Sequence, residues 1–139
     1  MSESDLADVV SSGVSRVREL VLDLFCYVPP EHSDFEYDEG RISSFFSERR
    51  DRHPSLRDVR LLRRMTDEWS PLVADALSQL RIMGIIGRKY CGLAISPFTI
   101  YLSPNARYER RKVCESRPES VAEGIKALAE EFQETFSVR

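Results

Sequence analysis

The sequence predicts a mainly α-helical protein with one small antiparallel β-hairpin. Two observations lead to this fold class. Apolar residues recur every three or four positions along most of the chain, which is the period of an amphipathic helix. Residues 85–102 differ, because β-branched and aromatic residues flank glycine and a Ser-Pro pair there, as in a hairpin. A length of 139 residues fits a single domain, 1–139.

The first predicted element is an N-terminal helix over residues 4–28. Steps of four and three residues place its apolar side chains in one seam, which consists of Leu6, Val10, Val14, Val17, Val21 and Leu24. Pro29 and Pro30 end the helix, because proline lacks the N–H that continues the hydrogen-bond ladder. The seam is too short for a convincing coiled coil, so core packing is the preferred interpretation over a dimer contact.

Residues 29–40 are predicted to form an acidic loop without a lysine or arginine. Phe35 and Tyr37 alternate with carboxylates in this loop. The preferred interpretation is a solvated connector with two aromatic rings tucked in. The alternative is a docking strip for a basic protein partner.

Residues 41–104 are predicted to contain a helix-turn-helix and a hairpin. A short helix within 41–53 buries Ile42 and two phenylalanines, and a second helix runs from Leu56 to about Thr66. At 100° per residue, three arginines of the second helix share a sector of about 60°. They form a predicted exposed row for nucleic-acid phosphates: Arg57, Arg60 and Arg64.

The next predicted helix covers residues 71–83. Ser70 supplies a capping hydroxyl, Pro71 suits the first helical position, and Gly84 ends the helix. A two-stranded ribbon follows over 85–102, with a bulge near Gly87.

The last predicted helix covers residues 118–136. Its apolar stripe is predicted either to form a homodimer interface or to close the protein's own core, and consists of Val121, Ile125, Leu128, Phe132 and Phe136. The basic stretch 106–117 before it has no predicted element.

The order helix, helix, turn, helix, hairpin, helix resembles the winged helix-turn-helix superfamily over about residues 15–104. The segments SPLVADALSQLRIMGII and FTIYLSPNAR carry the resemblance. It implies a winged-helix-like domain with additional terminal helices, which binds double-stranded DNA as a transcriptional regulator. Helix 71–83 would enter the major groove and the hairpin would contact the backbone.

The resemblance also implies a set of DNA-contacting residues. Those in helix 71–83 are Ser78, Gln79 and Arg81, and those in the hairpin are Arg88 and Lys89. Gln79 and Arg81 have side chains suited to paired hydrogen bonds with base edges. The hairpin tip is apolar and uncharged, unlike the basic tip usual in the family.

The charge distribution is uneven along the chain. Residues 1–40 carry a formal charge of −8, residues 41–113 carry +8, and residues 114–139 carry −3. Either the basic middle faces a polyanion, or it pairs with the acidic ends inside the fold. In the second case the protein is a protein-interaction module that uses the acidic loop and the apolar hairpin tip, Leu93, Ala94 and Ile95.

The sequence lacks the patterns of an enzyme, a cofactor site or a metal site. It has no glycine-rich phosphate loop, no nucleophile elbow and no closely spaced pair of metal ligands. Three scattered cysteines argue against a disulfide framework. No apolar run approaches the roughly 20 residues of a membrane span, and no signal peptide is recognisable, so we expect a cytoplasmic protein without membrane contact.

Overall fold

The computed structural model describes residues 3–63, 65, 67–88 and 97–137, with side chains from residue 13 onward. Its α-helices are α1 (Glu3–Cys26), α2 (Glu39–Ser47), α3 (Pro71–Ile82), α4 (Pro104–Glu115) and α5 (Glu119–Phe136). Its strands are β1 (Asp34–Phe35), β2 (Leu62–Arg63), β3 (Glu68–Trp69), β4 (Ile86–Arg88) and β5 (Phe98–Ile100). The predicted class, mainly helical with a small antiparallel sheet, is confirmed. None of the helices described has the length and hydropathy needed to cross a bilayer.

Helices α1, α3 and α5 lie close to their predicted bounds, because strong local signals define them. The buried Ser70 hydroxyl accepts a hydrogen bond from the Val73 N–H at the start of α3, at 3.3 Å. Gly84 adopts a φ of 78°, a left-handed conformation that glycine tolerates, and the chain turns there into β4.

The helix predicted over Leu56–Thr66 is wrong. The chain makes a single 3₁₀ turn at Pro54–Leu56, and β2 then pairs with β3, with Leu62 opposite Trp69. In this segment Val59 is buried, whereas Leu62 is 51% exposed and Met65 is fully exposed, which does not match one buried helical face. Periodicity alone therefore assigned the wrong structure to this segment. The turn that would join this helix to α3 in the predicted helix-turn-helix is displaced for the same reason.

The acidic loop 29–40 also contains a strand that the sequence analysis did not predict. The chain forms a 3₁₀ turn at Pro30–His32, and β1 then pairs antiparallel with β5, with Phe35 opposite Phe98. Phe35 is buried between exposed or half-buried acidic neighbours, which is the alternation of a strand. The two aromatic rings are tucked in as predicted.

The hairpin over 85–102 is confirmed where the structure describes it. Strands β4 and β5 pair in continuous antiparallel register from Ile86–Ile100 to Arg88–Phe98, so the predicted bulge near Gly87 is wrong. A Cβ at Gly87 would lie 3.3 Å from the ring of Tyr101, which explains the glycine by close packing. The three-stranded sheet has the order β1-β5-β4. The predicted tip residues Leu93, Ala94 and Ile95 lie outside the described residues.

Helix α4 occupies the basic stretch to which no element was assigned. Ser103 and Pro104 repeat the start signal of α3, and the Ser103 hydroxyl accepts from the Ala106 N–H at 3.1 Å. The high charge of this segment hid its one narrow buried face, which includes Arg107 and Cys114.

The chain divides into two compact units. Unit 1 comprises residues 1–20 and 38–79, and unit 2 comprises residues 21–37 and 80–139. The core of unit 1 includes Ile42, Phe46, Leu56 and Leu77, all less than 2% exposed. The prediction of one domain over 1–139 stays a prediction.

The core of unit 2 contains the stripe predicted as a dimer interface. The Phe132 ring lies 5.7 Å from the Phe25 ring and 5.6 Å from the Phe35 ring, centroid to centroid. Together with Ile125, Leu128 and Phe136, it is at most 2% exposed within one chain. These four side chains therefore close the protein's own core and are not available as an interface. Val121 is half-buried.

Candidate nucleic-acid interface

Nine residues between Ser47 and Arg60 of unit 1 line an open cavity of about 570 Å³, which we call the arginine pocket. The chain leaves α2 and makes two 3₁₀ turns, Arg50–Arg52 and Pro54–Leu56, and this bend brings its charged side chains around one cavity. The basic side chains that line the cavity are Arg50, Arg52, Arg57, Arg60 and His53.

The arginine pocket is electropositive. Its lining includes four arginines and two acidic residues, Glu48 and Asp51, so the formal charge of the lining is +2 with a neutral imidazole. Glu48 also forms an ion pair with Arg49, which lies outside the lining, at 3.7 Å. The neighbouring Arg49 does not contribute to the lining, because it donates to the Phe45 carbonyl at 3.0 Å and lies 3.8 Å above the centroid of the Phe45 ring. The pocket therefore offers more positive than negative groups to a ligand.

The Arg60 side chain is held by two backbone carbonyls that precede it in the chain. Its Nη1 donates to the carbonyl of Arg57 at 2.8 Å and to that of Val59 at 3.0 Å. In the predicted α-helix these carbonyls would have accepted from backbone N–H groups, so the guanidinium replaces the helical partners. These two hydrogen bonds orient the Arg60 side chain and use only its Nη1. The other N–H groups of the guanidinium take no part in them.

Arg57 and Arg60 are both exposed, as the sequence analysis predicted, although no helix aligns them. Among the residues that the structure describes, neither has a carboxylate at ion-pair distance: the nearby Asp58 pairs with Arg16, at 3.5 Å. The third member of the predicted row, Arg64, lies outside the described residues.

His53 also lines the pocket. Its Nδ1 accepts a hydrogen bond from the Ser55 N–H at 3.0 Å, so a neutral ring carries its proton on Nε2. The bond also caps the 3₁₀ turn that follows.

In unit 2 a second group of cations surrounds two stacked rings. Tyr37 and Phe98 stack with centroids 4.0 Å apart. The guanidinium carbons of Arg81 and Arg88 lie 5.3 Å and 5.8 Å from the centroid of Phe98. We call these four residues the arginine–aromatic cluster. It joins two predicted DNA contacts from different elements, α3 and β4.

Both cations of the cluster are exposed at their outer edges. In the described part of the chain, neither Arg81 nor Arg88 forms a salt bridge. Cation–π attraction orients each guanidinium and leaves its N–H donors free to bind an anion, because the ring face is not a hydrogen-bond acceptor of comparable strength.

The remaining predicted DNA-contacting residues differ in how accessible their side chains are. Ser78 is exposed. Gln79 is half-buried, and its Oε1 accepts a hydrogen bond from Arg18 Nη1 at 2.6 Å. Paired recognition of adenine needs both ends of the amide, so Gln79 could read a base only after this bond breaks. Lys89 lies outside the described residues.

The arginines of α4 point into unit 2. Arg107 is 2% exposed, and its guanidinium donates to the carbonyls of Phe25 (3.3 Å), Leu102 (3.1 Å) and Val28, and to the Ser33 hydroxyl (2.9 Å). Burial lowers the pKa of Arg107. Two of these acceptors, the carbonyls of Phe25 and Val28, lie in the last turn of α1 and just after it, where a helix leaves carbonyls without helical partners.

Two further arginines reinforce the same contact. Arg110 forms an ion pair with the buried carboxylate of Asp23 at 2.5 Å, and Arg111 donates to the Cys26 carbonyl at 3.2 Å. Cations at this position also complement the negative end of the helix dipole. The basic stretch 106–117 is therefore partly internal, as the alternative interpretation of the charge pattern holds.

Cys26 and Cys114 are free, buried thiols. Burial raises the pKa of Cys26, and burial together with Asp23 raises the pKa of Cys114 to about 11. Such thiols are poor nucleophiles near neutral pH. Within the described ranges, no three histidine, cysteine or acidic side chains gather to hold a metal ion.

Comparisons with protein-family models, curated proteins and solved structures found no match for this chain. Function is therefore inferred from the geometry of the arginines.

Proposed function

We propose that this protein binds double-stranded DNA through phosphate contacts from exposed arginines. The observation that carries the proposal is the separation of the arginines into two groups. Those of α4 satisfy groups inside unit 2, whereas Arg57, Arg60, Arg81 and Arg88 are exposed and lack a carboxylate partner among the described residues. A guanidinium fork matches phosphate geometry and retains its charge at all relevant pH values.

The order of elements supports a winged-helix-like domain as the scaffold. α3 ends just before Gly84, and the chain continues directly into the antiparallel β4–β5 pair. With no helix at 56–66, the helix that precedes α3 in this proposal is α2, and a longer connection, 48–70, separates them. The role in transcriptional regulation that the resemblance implies depends on DNA binding.

A titration of random-sequence duplex at about 50 and 200 mM salt tests the proposal. Each unit offers two candidate phosphate contacts, which would contribute roughly −1.8 to the slope of log affinity against log salt, or about a tenfold loss of affinity per unit over this range. Replacing Arg57 and Arg60 together with glutamine should lower the slope by about 2, and so should replacing Arg81 and Arg88. Absence of salt-sensitive binding would contradict the proposal.

A protein-interaction module is the second candidate. Ile82 is 84% exposed and Met83 is 54% exposed at the end of α3, and large apolar side chains at such exposure are typical of contact surfaces when they occur together. If the duplex titration shows no binding, this function becomes the better supported one.

A further inference from the structure

We propose that the arginine pocket binds a phosphomonoester, the terminal phosphate of a nucleotide or of a nucleic-acid strand. The inference deepens the proposed function and rests on it for the choice of a nucleotide as ligand. The pocket lies wholly within unit 1, so its geometry comes from one compact part of the chain.

The shape of the pocket suits a terminal phosphate group. Its lining comes from one continuous stretch that turns back on itself, and it encloses about 570 Å³. Small-molecule sites commonly measure roughly 300–1,000 Å³. A duplex can present a backbone phosphate to the exposed Arg57 and Arg60, whereas a strand end or a free nucleotide can also enter the cavity.

The charge of the pocket matches a monoester. Its formal charge of +2 offsets the charge of a phosphomonoester, about −1.5 to −2 at neutral pH. A backbone phosphodiester carries a single negative charge and would leave part of the positive charge unmatched.

The donors and acceptors of the pocket are arranged for such a ligand. Arg60 is oriented by its two backbone contacts before any ligand arrives, which reduces the entropy lost on binding. Arg57, whose carbonyl receives one of those contacts, also lines the cavity. The carboxylate of Asp51 can only accept hydrogen bonds when ionised, so it suits a sugar hydroxyl and would repel a second phosphate, whereas the carboxylate of Glu48 pairs with Arg49 at 3.7 Å.

The test compares one fluorescent single-stranded oligonucleotide with a 5′-phosphate against the same strand with a 5′-hydroxyl. We expect the full-length protein to bind the phosphorylated strand about tenfold more tightly, since hydrogen bonds to charged groups are the strong ones. Arg57→Gln and Arg60→Gln should each bring the ratio close to one. Arg41→Gln removes an equal charge from α2, outside the pocket lining, and should preserve the ratio.

The outcomes separate the two proposals. Equal, salt-sensitive binding of both strands by the unmodified protein would overturn the phosphomonoester site and leave DNA binding intact. Calorimetry with a nucleoside 5′-monophosphate and with the matching nucleoside tests whether a free nucleotide supplies the phosphate. If the monophosphate binds in an Arg57-dependent manner and the nucleoside does not bind, the site is supported even if the protein binds no DNA. Binding of neither the phosphorylated strand nor the monophosphate would overturn the site.

Discussion

Arg81 and Phe98 lie on different elements, yet the guanidinium carbon of one is 5.3 Å from the ring centroid of the other. Arg88, directly opposite Phe98 in the β4–β5 register, approaches the same ring. The Phe98 ring is thus the point at which a residue of α3 and a residue of the hairpin meet. If these arginines bind phosphate, their spacing is set by this one side chain.

A double-mutant cycle measures the contact between Arg81 and Phe98. We expect a coupling free energy of about 0.5–1 kcal/mol from Arg81→Gln, Phe98→Leu and the double variant in urea unfolding, because one partner of the cation–π pair is solvated. Additive effects of the two substitutions would show that the contact between Arg81 and Phe98 contributes nothing to stability.

Arg107→Met should strongly destabilise the protein. The substitution keeps the apolar stem but leaves the carbonyls of Phe25 and Val28 without their buried donor. We expect a loss of about 3 kcal/mol in the free energy of unfolding. Lys112→Met on the exposed face of α4 is the control, with an expected change within about 0.5 kcal/mol. Similar stabilities for the two variants would contradict the internal role of Arg107.

Gly40→Ala should destabilise unit 1 although alanine favours helices. A Cβ at position 40 would lie 2.6 Å from Asp67 Oδ2 and 3.0 Å from the Glu68 carbonyl oxygen. The chain around β3 must shift to admit it, at a cost of about 1–3 kcal/mol. In α5, a Cβ at Gly124 meets nothing within 4 Å, so Gly124→Ala should stabilise by up to about 1 kcal/mol. Thermal melts of both variants should move in opposite directions.

The stability of the protein should fall as the pH rises from about 9 towards 11. The pKa of Cys114 is raised from 9.0 to about 11 in the folded protein, so the unfolded chain loses this proton first. Deprotonation of the unfolded state stabilises it relative to the folded state, and the contribution of the group is lost as pH passes through the folded value. Urea unfolding at pH 8 and 10.5 should show a smaller fall for Cys114→Ala than for the unmodified chain. An equal fall in the free energy of unfolding for the two proteins would exclude the Cys114 thiol as a cause of the pH dependence.

The sequence was a good guide where local chemistry decides the structure. Ser70-Pro71 and Gly84 delimit α3, and the apolar stripe of α5 identifies a buried face. The same Ser-Pro signal precedes α4 at 103–104, but the charged residues of this helix leave only a narrow buried face, Arg107 and Cys114, so apolar periodicity does not reveal it. Residues 56–66 had helical spacing, and only the structure reveals that Arg60 satisfies the carbonyls that a helix would have used.

The candidate sites could not be predicted from the spacing of residues along the chain. That Arg81 and Arg88 share a ring follows from the register of β4 with β5 and from the placement of Tyr37 by β1, which are both long-range pairings. That Arg107 is internal follows from its contacts with residues about 80 positions earlier in the chain. The arginine pocket arises from two successive 3₁₀ turns, which helical periodicity cannot represent.

The long reach of Arg107 has a consequence for how the chain acquires its structure during translation. The carbonyl of Phe25 precedes its guanidinium donor by 82 residues, so it leaves the ribosome well before that donor has been synthesised. Until α4 emerges, the Phe25 carbonyl lacks its guanidinium donor, and the tail of the first helix is prone to fray. The native anchoring of that tail is therefore a late event, and a nascent chain stalled before residue 107 should be readily cut there by proteases.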